Sequence, residues 1–158
     1  MKVTTQLEYG LCCIVALARL QVGDPASASD IAQSEKLPRQ YVEKLLCRLK
    51  RSGIVRSVRG AKGGYLLARH PSELTVRDIC DALDGGAYKL ICEEESMRTK
   101  RCIPVSADGR CSLRFVWTEL GSVINSYLGT VTVDALLSDG SCHTGKETPY
   151  QRPCTAGV

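Results

Sequence analysis

Three cysteines in the second half of the chain have a spacing that could hold an inorganic cluster. Cys92, Cys102 and Cys111 are separated by nine and eight residues, and the sequence has no Cys-x-x-Cys pair of the kind common in zinc sites. Thiolates that are well separated in sequence can still bind an iron–sulfur cluster. The spacing alone leaves two alternatives open: a cluster-binding loop, or three unconnected loop thiols.

Three cysteines leave such a cluster one ligand short. His70 and His143 are poorly placed, because one follows a predicted β-hairpin and the other lies in a predicted tail. Glu8 and Cys12 are four residues apart on a predicted helix, so they share one face of it. In a dimer this face could meet the partner's cysteine segment. Glu8 is therefore the candidate fourth ligand and Cys12 a further one; the alternative for Glu8 is an ordinary exposed carboxylate.

The remaining cysteines are expected to have simpler roles. The chain has nine cysteines, which in a reducing compartment must be buried thiols, metal ligands or redox-active groups rather than a disulfide framework. Cys13, Cys47 and Cys80 lie in predicted helices, and we expect them in the core. Cys142 and Cys154 lie in the predicted tail and are assigned no role.

A second stretch with chemical potential is strongly basic. Between residues 39 and 62 the only acid is Glu43, while eight residues are basic, namely Arg39, Lys44, Arg48, Lys50, Arg51, Arg56, Arg59 and Lys62. Such a one-sided run repels itself unless an anionic partner neutralises it. The pattern predicts a helix in a DNA major groove and a loop at the backbone or minor groove. A solvated helix face followed by a surface turn is the alternative.

The elements around this stretch predict a winged helix-turn-helix. Pro38 opens a helix that Gly53 ends, with an apolar stripe of Tyr41, Val42, Leu45, Leu46 and Leu49. Candidate strands Ile54–Val58 and Gly64–Ala68 follow, and Ile54, Arg56 and Val58 would share one face. Two helices are predicted before Pro38. The first, over Thr4–Leu20, buries Leu7, Leu11, Ile14, Val15 and Ala18. The second is a short helix over Ile31–Glu35 that is capped within 27–30. Two helices joined by a short turn, the second basic and followed by a hairpin, define that fold.

The rest of the chain is predicted to position the cysteine segment and to form a dimer interface. Thr75 caps a helix over Val76–Leu83, and Gly85-Gly86 ends it. A helix from Ser112 carries an apolar stripe that predicts a subunit interface, with packing inside the same chain as the alternative. Its members are Leu113, Val116, Trp117, Leu120, Val123, Ile124, Tyr127 and Leu128. A short helical turn over Thr132–Leu137 follows.

The predicted organisation is mainly α with a small β wing and a long C-terminal dimerisation helix. Residues 1–86 form the DNA-binding domain, 87–111 the cysteine-bearing loop, 112–137 the dimerisation helix with a short following helix, and 138–158 a flexible tail. No apolar run is long enough to cross a membrane, and the N-terminus does not resemble a secretory signal, so we expect a cytoplasmic protein. No nucleophile–base pair or cofactor fingerprint supports an enzyme.

Four segments resemble the Rrf-two family of bacterial transcription regulators, in particular its IscR- and NsrR-like iron–sulfur sensors. They are MKVTTQLEYGL, LPRQYVEKLLCRLKRSGIVRSVRGAKGGYLLAR, LTVRDICDALDG and CSLRFVWTEL. The resemblance covers about residues 1–137, and VRGAKGGYLLAR is its most specific part. It implies a homodimer that binds palindromic promoter DNA and often carries a cluster on three cysteines, which match Cys92, Cys102 and Cys111.

The resemblance also places the DNA contacts. The family's base-reading positions fall at Arg39, Gln40 and Glu43, and its wing arginine falls at Arg59. With their neighbours, the predicted DNA-binding residues are Arg39, Gln40, Tyr41, Glu43, Lys44, Arg48, Arg59 and Lys62.

The chain departs from the IscR type at the cysteines. Its cysteine intervals are longer than the family's five-residue gaps, and Arg114 stands where that type has a histidine. Some relatives use a carboxylate near the N-terminus of the other subunit, which Glu8 matches, and one redox-sensing branch adds a side chain one turn later, where this chain has Cys12. We therefore favour a 2Fe–2S redox sensor, with a nitric-oxide-responsive 4Fe–4S form as the alternative. A cluster-free thiol regulator and, less favoured, a cysteine-dependent or electron-transfer enzyme are the rival functions.

Overall fold

The computed structural model describes residues 3–20, 23–60, 63–86, 88 and 112–138. In order, these form α1 (Thr5–Ala18), α2 (Ala28–Ser34), α3 (Arg39–Arg51), β1 (Val55–Val58), β2 (Gly64–Leu67), a 3₁₀ turn (Pro71–Glu73), α4 (Val76–Asp84), α5 (Ser112–Thr130) and α6 (Val133–Ser138). Every helix and strand predicted from the sequence is present, with ends shifted by a few residues. The predicted cysteine loop, apart from Tyr88, and the predicted tail beyond Ser138 lie outside the described residues.

Two short helices begin with reciprocal caps, which explains why they form despite their length. In α2 the Ser27 hydroxyl accepts from the backbone N–H of Asp30, and the Asp30 carboxylate accepts from the backbone of Ser27. Thr75 and Asp78 repeat this arrangement in α4. Each box satisfies N–H groups that a helix start leaves without intrahelical partners. Gly85 then ends α4 in the left-handed conformation, with φ 69°, where a side chain would be strained.

Helix α1 lies at the centre of the fold, and its buried face differs from the prediction. It contacts α2, α3, α4, α6 and β2, and it buries Leu7, Gly10, Cys13, Ile14 and Leu17. Leu11, Val15 and Ala18 of the predicted stripe are only partly buried. The reason is Gly10, where a Cβ atom would overlap Leu83 of α4. The two helices therefore meet at a glycine, and a pattern of apolar side chains does not mark a glycine as a contact residue.

Helix α3 packs in the predicted phase. Val42, Leu45, Leu46 and Leu49 are buried, Tyr41 is partly buried, and Gly53 follows the helix with φ 71°. The prediction that Cys47 is a core thiol is wrong, because this side chain is exposed. Cys47 lies two positions from both Leu45 and Leu49, which places it on the opposite side of the helix.

The hairpin is a two-stranded antiparallel sheet extended by one further residue. Its register is Val55↔Leu67, Arg56↔Leu66, Ser57↔Tyr65 and Val58↔Gly64. Ala26 exchanges backbone hydrogen bonds with Tyr65, at 3.0 and 2.8 Å. Gly64 lies so close to the Ala26 carbonyl that a Cβ would collide with it. The predicted alternation fails at the start of β1, where Ile54 and Val55 are both buried because the strand enters from the core.

The chain returns to the core after α5. The backbone N–H of Val76 donates to Val131 (2.9 Å), and that of Val133 donates to Leu74 (2.8 Å). The Val133 side chain is fully buried, and α6 contacts both α1 and the 3₁₀ turn. Among the described helices, none is both long and apolar enough to cross a membrane.

Helix α5 leaves most of its apolar side chains exposed. Its inner side contacts α4, and Gly121 is buried against the ring of Tyr88. Ile124 and Leu128 of the predicted stripe are partly buried. The other large apolar residues are 42–73 % exposed, namely Leu113, Phe115, Val116, Trp117, Leu120, Val123 and Tyr127. The described part of the chain therefore leaves these side chains uncovered, which favours a subunit interface, and that interface stays a prediction.

Candidate nucleic-acid interface

The outer face of α3 is exposed along its whole length. Gln40, Lys44, Cys47 and Arg51 are all exposed, and their spacing of four, three and four places them on one side of the helix. This face points away from the buried leucines. The sequence analysis missed Cys47 and left Arg51 out of the DNA-binding set. The apolar phase of α3 already implied that both lie on the outer side.

The first turn of α3 carries the predicted base-reading residues. Arg39 donates from Nε to Oε1 of Glu43 at 2.9 Å, and both side chains are largely exposed. Gln40 beside them is exposed, and Pro38 caps the helix without a side-chain hydrogen bond. Arginine pairs with guanine, glutamine with adenine, and a carboxylate accepts from cytosine in the major groove. The structure thus groups three side chains of types that can read base edges, and Arg39 and Glu43 among them form an ion pair.

The hairpin adds a second basic surface. Arg56 and Arg59 are exposed, so the wing presents cations of its own. Its tip is tight: the N–H of Gly63 donates to the Gly60 carbonyl at 2.9 Å, and Gly60 has φ 134°. A glycine permits that conformation without strain. Lys62 lies outside the described residues.

Two predicted DNA-binding residues also make intramolecular contacts: Tyr41 is partly buried, and the Arg48 side chain remains exposed. Tyr41 packs edge-on against Tyr9 of α1, with ring centroids 5.8 Å apart. Arg48 donates from Nη1 to the Gln6 side chain at 2.6 Å and to the Leu83 backbone oxygen at 3.3 Å. These contacts hold α3 against α1 and α4, so both residues position the outer face.

The cysteines within the described ranges differ in how far they are exposed. Cys47 is exposed, whereas Cys13 and Cys80 are buried. Burial, with smaller contributions from Cys12 and Glu35, raises the pKa of Cys13 to about 12. Burial, followed by Asp81 and Asp84, also raises the pKa of Cys80. Both are neutral thiols at physiological pH.

The candidate ligands on α1 are accessible. Glu8 is exposed, and Cys12 is partly buried, with its pKa raised by burial and then by Glu35. Cys92, Cys102 and Cys111 lie outside the described residues. Within the part of the chain that the structure covers, no three His, Cys, Asp or Glu side chains come together to hold a metal. The exposed carboxylate of Glu8 is available to a neighbouring molecule, which is what a shared ligand set requires.

Comparison with known proteins identifies the family of the chain. The profile of the family described as "Rrf2: Iron-dependent Transcriptional regulator" matches residues 3–139. The chain is 33 % identical over 141 residues to Protein rrf2 of Nitratidesulfovibrio vulgaris, covering 89 % of this chain and 90 % of that protein.

Two solved structures share its architecture. The structure of CymR, described as the global cysteine regulator of Bacillus subtilis, matches with a TM-score of 0.68 at 30 % identity, over 87 % of this chain and 97 % of that one. That of T. potens IscR matches with a TM-score of 0.69 at 31 % identity, over 89 % of both chains. They confirm the predicted winged helix fold, and these relatives are regulators rather than enzymes. The chain therefore belongs to the Rrf2 (Rrf-two) family of DNA-binding transcription regulators.

Proposed function

We propose that the protein binds palindromic promoter DNA as a homodimer, in the cytoplasm, and that its cysteine segment controls this binding through an iron–sulfur cluster. The observation that carries the DNA-binding mode is the outer face of α3. Gln40, Lys44, Cys47 and Arg51 line it and are all exposed, and Arg56 and Arg59 of the wing are exposed as well. In this mode α3 enters the major groove and Arg59 contacts the adjacent backbone or minor groove.

The dimer is supported by the apolar face of α5. Val116, Leu120, Val123 and Tyr127 recur at intervals of four, three and four residues, and each is at least 42 % exposed. A monomer rarely leaves such a contiguous stripe in water. A second copy of the same helix would bury the stripe symmetrically, and the two reading heads would then meet two half-sites of a palindrome.

The cluster is supported by the donor set rather than by an observed site. Cys92, Cys102 and Cys111 would supply three thiolates, and Glu8 of the partner subunit would supply a carboxylate, with Cys12 as a further candidate. Thiolates are the usual ligands of iron–sulfur clusters, and when bound such a group supplies one-electron redox chemistry. We favour a 2Fe–2S centre that senses redox state; a 4Fe–4S centre that responds to nitric oxide is the alternative.

A cluster-free regulator is the second candidate function. The relative CymR is described as a cysteine regulator, and this chain matches it over most of its length. In this version the thiols of residues 87–111 respond directly to oxidants, which accept the electrons that the thiols lose on forming disulfides or persulfides. The DNA-binding surface is the same in both versions, so only the cofactor distinguishes them.

Purification without oxygen, followed by iron and sulfide analysis, separates the two versions. We expect coloured protein that contains both elements, and colourless, metal-free protein that still regulates its promoter would refute the cluster. Cys102→Ala should lose iron, while the matched variant Cys142→Ala, from the predicted tail, should retain it. A changed absorption spectrum in Glu8→Ala at unchanged helicity would support the carboxylate ligand, and an unchanged spectrum would exclude it.

A further inference from the structure

One hydrogen-bond network joins the start of α1, the last turn of α3 and the end of α4. The Gln6 side-chain amide donates from Nε2 to the backbone oxygen of Leu83 at 2.6 Å and to Oδ1 of Asp84 at 2.7 Å. Its Oε1 accepts from Nη1 of Arg48 at 2.6 Å. The Thr4 hydroxyl donates to the second carboxylate oxygen of Asp84 at 2.5 Å. Gln6 therefore connects all three helices with one side chain.

The network differs from the other contacts in this core. Within the described ranges, every side-chain hydrogen bond between residues more than ten positions apart belongs to it. Apolar packing is non-directional, whereas a hydrogen bond weakens steeply when its distance or angle changes. The relative position of α1, α3 and α4 is therefore most sharply defined at Gln6.

Its location connects the cysteine segment to the DNA-reading helix. Leu83 and Asp84 are the last two residues of α4, and residues 87–111 follow immediately after Gly85-Gly86. A shift in the base of that segment would move the two groups that Gln6 binds. Gly10 and Leu83 touch so closely that α1 and the end of α4 must shift together.

Arg48 carries the connection into α3. Its guanidinium also donates to the Leu83 oxygen at 3.3 Å, and a cation at the end of α4 is favoured by the helix dipole. Arg48 lies one position from Cys47, at the edge of the outer face. Movement of the Leu83 carbonyl therefore acts directly on the helix that carries the DNA contacts.

We propose that Gln6 is a positioning residue that couples the state of the cysteine segment to the placement of α3 on DNA. This inference rests on the proposed regulatory function. Gln6 would touch neither DNA nor a cluster; it would transmit displacement between them through Arg48 on one side and Leu83 and Asp84 on the other. Coupling between two sites in a protein typically changes affinity by about 5–150-fold.

The test compares DNA affinity in two states of the protein. The probe is a duplex selected from random-sequence DNA by the wild-type protein, and the states are protein purified without oxygen and the same protein after iron removal. Gln6→Met keeps the side-chain length and removes its hydrogen bonds. Gln33→Met, on the exposed side of α2, is the matched control. Iron content and far-UV circular dichroism are measured on every sample.

We expect the two Kd values of wild-type protein and of Gln33→Met to differ, and those of Gln6→Met to agree within about twofold. Iron content and helicity of Gln6→Met should stay at the wild-type level. A merely structural role of Gln6 would not predict the loss of the Kd difference in a protein with unchanged iron content and helicity. A wild-type Kd ratio in Gln6→Met would overturn the coupling role. So would a wild-type protein with the same affinity in both states.

A second variant and a second pair of protein states cover the cases in which Gln6→Met does not fold or the protein contains no iron. Should Gln6→Met lose helicity, Gln6→Glu replaces it: this side chain still accepts from Arg48 but no longer donates to Leu83 and Asp84, so the same loss of the Kd ratio is expected. An iron-free wild-type protein refutes the cluster alone. The two states are then reduced and diamide-oxidised protein, and the same ratio in the same variants decides the role of Gln6.

Discussion

Replacing Val123 by aspartate should separate the proposed dimer without unfolding the protomer. Val123 lies in the middle of the exposed stripe of α5 and is 58 % exposed in the single chain. A carboxylate at this position remains in water as long as the protomer is alone, so it should leave the core unchanged. In a symmetric dimer it would be buried twice, once on each copy.

The structure sets the size of the effect. Full burial of a large apolar side chain contributes about 1.5–3 kcal/mol, so the six roughly half-exposed side chains of the α5 stripe (Leu113, Val116, Trp117, Leu120, Val123 and Tyr127) could contribute about 7 kcal/mol per protomer. A buried, unpaired carboxylate costs several kcal/mol. Since about 1.4 kcal/mol corresponds to a tenfold change in Kd, two such carboxylates should raise the dimer Kd at least about a thousandfold.

Sedimentation equilibrium measures this Kd, and far-UV circular dichroism checks the fold. Ser122→Asp is the matched control, because Ser122 lies on the side of α5 away from Leu120 and is exposed. It should remain as dimeric as the wild type. If Val123→Asp has the same dimer Kd as Ser122→Asp, the apolar stripe is not the subunit interface.

Three further predictions test the reading surface and the core. Arg59→Ala should weaken binding to the selected duplex and reduce the slope of log K against log salt by about one, since one phosphate contact is lost; an unchanged slope would exclude Arg59 from the backbone. Bound DNA should protect Cys47 from maleimide, as followed by mass spectrometry, while Cys13 and Cys80 stay unmodified with or without DNA; equal labelling of Cys47 in both samples would show that the outer face of α3 is not in the groove. The free energy of unfolding should fall as pH rises from 9.0 towards about 12, because the folded state keeps the proton on Cys13 that the unfolded state releases. Cys13→Val should show a shallower fall in that window, and a slope equal to that of the wild type would mean that Cys13 ionises alike in both states.

The sequence determined those parts of the fold that depend on local pattern. The leucines of α3 have a helical period, so the buried side of that helix was predictable. The caps at Ser27 and Thr75 depend only on neighbours three residues away, and both helices that they start were predicted. The outer face of α3 follows from the same period. The prediction that Cys47 is a core thiol is wrong because it relies on the residue type and not on the position in the helix.

Contacts between distant segments could not be predicted in the same way. The buried phase of α1 depends on Gly10 meeting Leu83, and no periodicity records that a glycine is a contact point. The Ala26–Tyr65 pairing and the bonds of Gln6 join residues far apart in the chain. Arg48 is predicted as a DNA contact from its charge, and its hydrogen bonds to Gln6 and Leu83 become visible only in the fold.

The backbone bonds that tie Val131 and Val133 to the segment before α4 have a consequence for how the molecule can be divided. A fragment that ends at residue 86 would leave the N–H of Val76 and the carbonyl of Leu74 without their partners, and it would open the space that Val133 fills. A protein truncated at residue 86 should be poorly packed. The core of the DNA-reading head therefore includes Val131 and Val133, which follow the long helix α5 in the sequence. The C-terminal end of the long helix is thus joined to the DNA-reading head by the backbone bonds at Val131 and Val133, so a displacement of that end would move the segment before α4.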